Sequence, residues 1–220
     1  CGYNAIVGGC KNKIDGLSKF TSIGGGQVNT GSAYHATIAG GCGNKIVAVG
    51  TGSFIGGGKG NSANCRYSSI GGGQGNCTNR PHTTVAGGCN NSAGGNFSTV
   101  GGGHTNVVSN GVTLGSIFSG CSNTVNALGT AGIIVGGTGN TVSGLRGGVL
   151  GGQSNTIGSG FSDSFIVGSN ITAVAGLHTH VNNLTTTGNI TGSIISASSG
   201  VIASGITASN LTSGRVLTAG

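Results

Sequence analysis

Few residues in this chain could do chemistry, and the clearest candidates are His178 and His180, separated by Thr179. On a strand, residues i and i+2 point to one side, so the two imidazoles can act together. Three such strands about a threefold axis would gather six imidazoles, a number suited to an octahedral first-row transition metal. The plainer reading is a pair of exposed or mutually hydrogen-bonded histidines. Seven cysteines form the second candidate set. Cys10, Cys42, Cys89 and Cys121 share one phase of a sequence repeat but lie two or three repeats apart, too far for a disulfide within that column. Cys65 and Cys77 are in neighbouring repeats and out of phase, and no Cys-x-x-Cys spacing occurs. These cysteines read as free thiols serving as small apolar side chains, with contacts between chains as the alternative. Asp15 and Asp163 are the only two acidic residues. They are too distant to work as an acid–base pair, and no Ser-His-Asp arrangement can be built around either, so no enzyme is expected.

What positions these residues is a repeat. Asn12, Asn29, Asn44, Asn61, Asn76, Asn91, Asn106, Asn123, Asn140, Asn155 and Asn170 recur at steps of 15 or 17 residues. Ile or Val stands six residues before each of the first ten, from Ile6 to Val149, and Gly stands three before, from Gly9 to Gly152. A chain that copies a short unit this faithfully stacks the copies as a solenoid. The composition agrees: Gly supplies 51 of 220 residues, charged residues 5% and aromatics 4%. Collagen would need Gly at every third position and abundant Pro, whereas one Pro is present. A flexible Gly/Ser linker has no reason to keep an Ile/Val column.

Short segments rich in Ile, Val and Thr between Gly and Asn suit strands rather than helices. A second small apolar residue often follows the Asn by two (Ile14, Ile46, Val108, Val125, Val142, Ile157), giving two inward stacks per turn. All length variation falls between the Asn and the next Ile/Val, so the Ile-Gly-Gly side is expected to be the packed one. Gly and Asn fit left-handed bends, and stacked asparagines can form a hydrogen-bonded ladder along the axis. About eleven turns at the ~4.8 Å strand spacing make a rod on the order of 50 Å long. So thin a core would be marginal alone. The consecutive glycines suggest close approach of other backbones, and a homotrimer burying that face would supply both.

The Ile/Val-Gly-Gly-Gly-x-x-Asn unit resembles the head repeats of YadA-type trimeric autotransporter adhesins and similar repeats in bacteriophage tail fibres, over residues 3–176. The resemblance implies three chains, each a parallel β-roll, packed side by side. The His-x-His motif resembles iron-binding motifs of some phage fibres, which implies a trimeric iron or other transition-metal site at His178 and His180.

From 177 the register changes. Ile190, Ile194, Val201, Ile206, Leu211 and Val216 recur about every five residues among Ser, Thr and Gly. This suits a slender intertwined β-stalk, and Asn-Leu-Thr-Ser-Gly-Arg-Val-Leu at 210–217 resembles phage-fibre shaft segments; a Ser/Thr-rich linker is the competing reading. The expected organisation is an all-β parallel β-solenoid with 15–17-residue coils over 1–176, in a homotrimer, followed by a trimeric β-stalk or neck over 177–220.

Net charge is +7, and seven of the nine basic residues lie between Lys11 and Arg80. They either attract an acidic polysaccharide or lipopolysaccharide or merely keep the chain soluble. Nucleic acid is not expected, because basic and aromatic residues are not interleaved in a recognised motif. No stretch is apolar enough to span a membrane, and the chain starts in mid-pattern, as a fragment of a longer polypeptide would. Together these features predict a structural shaft of a virion or extracellular fibre that presents a receptor-binding tip. The alternatives are a bacterial surface adhesin head that binds host glycans or matrix, and an ice-binding solenoid, which would need a regular Thr array.

Overall fold

The computed structural model describes residues 2–15, 18–126 and 128–182. Within them every strand has two or three residues, and each pairs in parallel with its equivalent one turn later. One ladder has twelve strands, running from Ala5–Ile6 to Thr179–Val181, and a second has ten, running from Lys13–Ile14 to Thr156–Ile157. A third runs as single bridges from Cys10 through Gln27, Cys42, Lys59 and Gln74 to Gln153. The chain is therefore an all-β parallel solenoid of about 12 turns.

The register is set by the apolar column. Ile23 pairs with Ile38, Ile38 with Ile55, and Ile70 with Val85, and the column from Ile23 to Ile166 is completely buried. Ile46, Ala63, Ala93, Val108, Val125, Val142 and Ile157 form the opposing buried column on the second ladder. A strand this short cannot hold itself; it persists because both its neighbours donate and accept along the axis and because one β-branched side chain per strand enters the core.

Ten asparagines, Asn12 to Asn155, brace the bend between the first and second ladders. Asn76 is representative: its backbone N–H donates to Asn61 Oδ1 at 2.9 Å, and its Nδ2 donates to Gly72 O at 2.8 Å and to Gly88 O at 2.9 Å. The ladder thus links side chain to backbone, tying each Asn to its own turn and to both neighbours. Asn170, expected as its eleventh member, is not in it. Ile171 N–H takes the bond to Asn155 Oδ1 instead, and Asn170 sits one column earlier with φ 57, where Ser154 has φ 54. Asn170 follows core Ile166 by four residues where the ladder asparagines follow theirs by six, and the bend there is one residue shorter, so the ladder position falls to Ile171.

The glycines three residues after each Ile/Val also have a different cause from the one expected. Gly73 has φ +86, and a Cβ there would lie 2.0 Å from Gly88 O. The backbone they admit is the next turn of the same chain.

Candidate functional sites on the solenoid

His178 and His180 fall on the last described rung. His180 is in register with Ile166, and Thr179 with Phe165. His180 therefore follows the core column, in line with buried Ile166, while Thr179 and Val181 take the outward positions. His180 Nε2 donates to Ala175 O at 3.2 Å, and His178 Nδ1 donates to Gly176 O. The two rings are tilted, with centroids 6.2 Å apart. His178 is exposed and His180 half-buried. Among the described residues, no three His, Cys, Asp or Glu side chains come together to hold a metal. Of the stalk expected over 177–220, residues 183–220 lie outside the described residues, while Thr179–Val181 is the last strand of the twelve-stranded ladder.

Cys10, Cys42, Cys89 and Cys121 line the third ladder in register with Gln27, Lys59, Gln74 and His104, and the six described cysteines are free thiols. Cys121 Sγ lies 3.8 Å from His104 Nδ1. Burial pushes the Cys77 thiol up, against the lowering effect of hydrogen bonds with Asn79 and Asn64, so it stays protonated at neutral pH. Both carboxylates are held by cations. Asp163 accepts from Arg146 Nε and a second guanidinium nitrogen at 2.6 and 2.7 Å, and Asp15 pairs with Lys13 at 2.7 Å. Hydrogen bonds from these cations hold both carboxyls below the usual carboxylate range.

A groove of about 410 Å³ is lined by Ser109, Asn126, Leu128, Ser143 and Ser159. Its origin is a short return: Ile134 to Val149 is two residues shorter than Ile117 to Ile134 or Val149 to Ile166. Its wall carries hydroxyls, an amide and one apolar side chain, with no titratable group to move a proton.

Two surface columns escaped the sequence reading. The first lies three residues before the core Ile/Val: Phe20, His35, Tyr67, His82 and Phe97, all at φ between 53 and 59. The rings stack across successive rungs, Phe20 on His35 at 4.9 Å, Tyr67 on His82 at 5.2 Å, and His82 on Phe97 at 5.0 Å. The second is the outer face of the twelve-stranded ladder. In the first rung the residue after the Ile/Val is exposed Val7, and in the next six it is Gly24, Ala39, Gly56, Gly71, Ala86 or Gly101. From Phe118 onward it becomes Phe118, Val135, Leu150 and Val167, all exposed, flanked by exposed Ile133 and Phe165. Both columns were hidden because their members are a full turn or more apart in sequence and their residue types change from rung to rung. On the second ladder, Thr124, Thr141 and Thr156 stand in register, but Val107 and Cys77 interrupt the column before them.

The fold and these surfaces define the class: a parallel β-solenoid repeat protein. Compared with known proteins, the chain matches no family model, and no curated sequence matches it. No helix among the described residues is long and apolar enough to cross a membrane.

Proposed function

We propose that this chain is a shaft segment of a homotrimeric fibre, on a virion tail or a cell surface, that holds a receptor-binding tip away from its base. The observation that carries this reading is the exposed apolar face of the twelve-stranded ladder at Phe118, Ile133, Val135, Leu150, Phe165 and Val167. Contiguous apolar surface of this extent marks an interaction site, and it lies on the Ile-Gly-Gly side. Sister copies of the chain supply a matching face by symmetry. Axial hydrogen bonding at every rung gives the stiffness that a spacer needs, and twelve rungs span on the order of 50 Å. The role is mechanical, not catalytic: both acidic side chains are committed to ion pairs.

A second reading, an adhesin head that binds glycans directly, is favoured by one observation, the exposed stacked rings at Tyr67, His82 and Phe97. Electron microscopy of source particles or cells decorated with antibody to this chain tests the first. Label along a projecting fibre, below its tip, supports a shaft; label confined to the tip supports the adhesin head; label inside particles or cells contradicts both.

A further inference from the structure

We propose that the exposed edge carrying Lys19, Phe20 and His35, and again Arg66, Tyr67 and His82, binds acidic polysaccharide. This goes beyond a shaft role and is independent of it, since it uses a different column in the other half of the solenoid.

The same constellation is built twice. In each case a cation precedes a ring, and an imidazole on the next rung stacks over that ring. The imidazole residue's backbone N–H donates to the cation's carbonyl: His35 to Lys19 O at 2.9 Å, and His82 to Arg66 O at 3.2 Å. The ring planes are nearly parallel, 8° apart for Phe20 and His35 and 19° for Tyr67 and His82. Phe97 extends the second stack, 7° from His82.

These positions are expensive for aromatic residues. A left-handed backbone costs a residue with a Cβ roughly 1 kcal/mol, and Gly52 shows that glycine fits the same column. Leu114, Ala131, Arg146 and Asp163 hold the same left-handed position at φ 53 to 62, so the bend belongs to every rung and it is the stacking that sets the rings apart. Stacking also fixes what faces solvent. Because the rings cover one another's faces, they present edges, and aromatic edges carry the positive part of the quadrupole. Beside them stand the exposed Lys19, Arg66 and Arg80. Among the described residues the ion pairs within 4 Å are Lys13 with Asp15 and Arg146 with Asp163, so these three cations meet no carboxylate. Ring edges, imidazole N–H groups and guanidinium groups on adjacent rungs together form a strip of donors and positive charge suited to repeated anionic groups.

The stacking also chooses between polyanions. Single-stranded nucleic acid gains its affinity from bases laid on aromatic faces, and the inner faces here are already occupied. A carboxylated or sulfated polysaccharide needs only the edges and the cations.

The test is calorimetric titration of the full chain at low ionic strength with polygalacturonate oligomers, with neutral dextran and oligo(dT) as contrasts. Arg66→Gln/Arg80→Gln is compared with Lys45→Gln/Lys59→Gln, which removes the same charge from the second and third ladders. All four side chains are outside the core, so circular dichroism should be unchanged. The expected result is about a tenfold weaker affinity for the arginine pair and less than about a threefold change for the lysine pair. Equal losses in the two doubles, dextran binding as tight as polygalacturonate, or tighter binding of oligo(dT) would each overturn the proposal.

Discussion

Asn76 Oδ1 accepts the backbone N–H of Asn91 at 3.0 Å, and Asn91 Oδ1 in turn accepts that of Asn106 at 2.9 Å. Both side chains are fully buried. The bond explains why Asn, and not merely a turn-former, recurs: the position needs an acceptor pointing along the axis and two donors pointing back at glycine carbonyls.

Replacing Asn91 with Ala strands the Asn106 N–H and removes a donor from Gly87 O. A buried group left unpaired costs roughly 1–3 kcal/mol, so Asn91→Ala should destabilise by about 2–4 kcal/mol in urea titration. Asn91→Asp keeps the acceptor but turns a carboxylate towards Gly87 O and Gly103 O, and should cost more than the alanine. The same alanine change at Asn170, which is exposed and outside the ladder, should cost under about 1 kcal/mol.

Neighbouring glycines should respond oppositely. A Cβ at Gly88, whose φ is +84, would lie 2.3 Å from Gly103 O, while one at Gly87 meets nothing within 4 Å. Gly88→Ala should lower stability by at least about 2 kcal/mol, and Gly87→Ala should be neutral or mildly stabilising through the unfolded chain. Paired thermal melts check this.

Acid sensitivity arising from carboxylate side chains should trace to two groups alone. Asp163 and Asp15 both have pKa values lowered from 3.8, first by hydrogen bonds from Arg146 and Lys13. A depressed folded value contributes stability that is present above the unfolded pKa and lost as pH falls through the folded one. The stability difference between the wild type and Asp15→Asn/Asp163→Asn should be constant above about pH 5 and shrink below the ordinary carboxylate value. Denaturant midpoints measured from pH 2 to pH 7 check it; a difference that grows on acidification would contradict the ion-pair assignment.

Much of the architecture was legible because the core column is written at a fixed distance from the asparagine. Ile70 and Asn76, or Val100 and Asn106, keep six residues between phase marks, so register followed from counting. The Asn ladder and the second apolar column were legible for the same reason. Asn170 misled because its 15-residue step from Asn155 matches the repeat, although it follows Ile166 by four residues and not six; the bond from Ile171 N–H to Asn155 Oδ1 shows which residue takes the position. Glycines such as Gly73 admit the next turn of the same chain, while Gly72 beside it meets nothing within 4 Å; sequence does not distinguish the two. His178 and His180 read as strand neighbours, but the strand is Thr179–Val181 and His178 precedes it; the register of His180 with Ile166 depends on a shortened final turn. Tyr67, His82 and Phe97 drew no notice singly, and their meaning comes from stacking.

Sedimentation equilibrium of the full chain, beside Val135→Lys/Leu150→Lys, tests most directly whether stacked rungs assemble through the apolar outer face of the twelve-stranded ladder. The wild type should sediment at three times 20.9 kDa and the double variant at 20.9 kDa, with matching far-ultraviolet circular dichroism. A wild type that remains at the single-chain mass at micromolar concentration, or a double variant that keeps the threefold mass, would contradict the account.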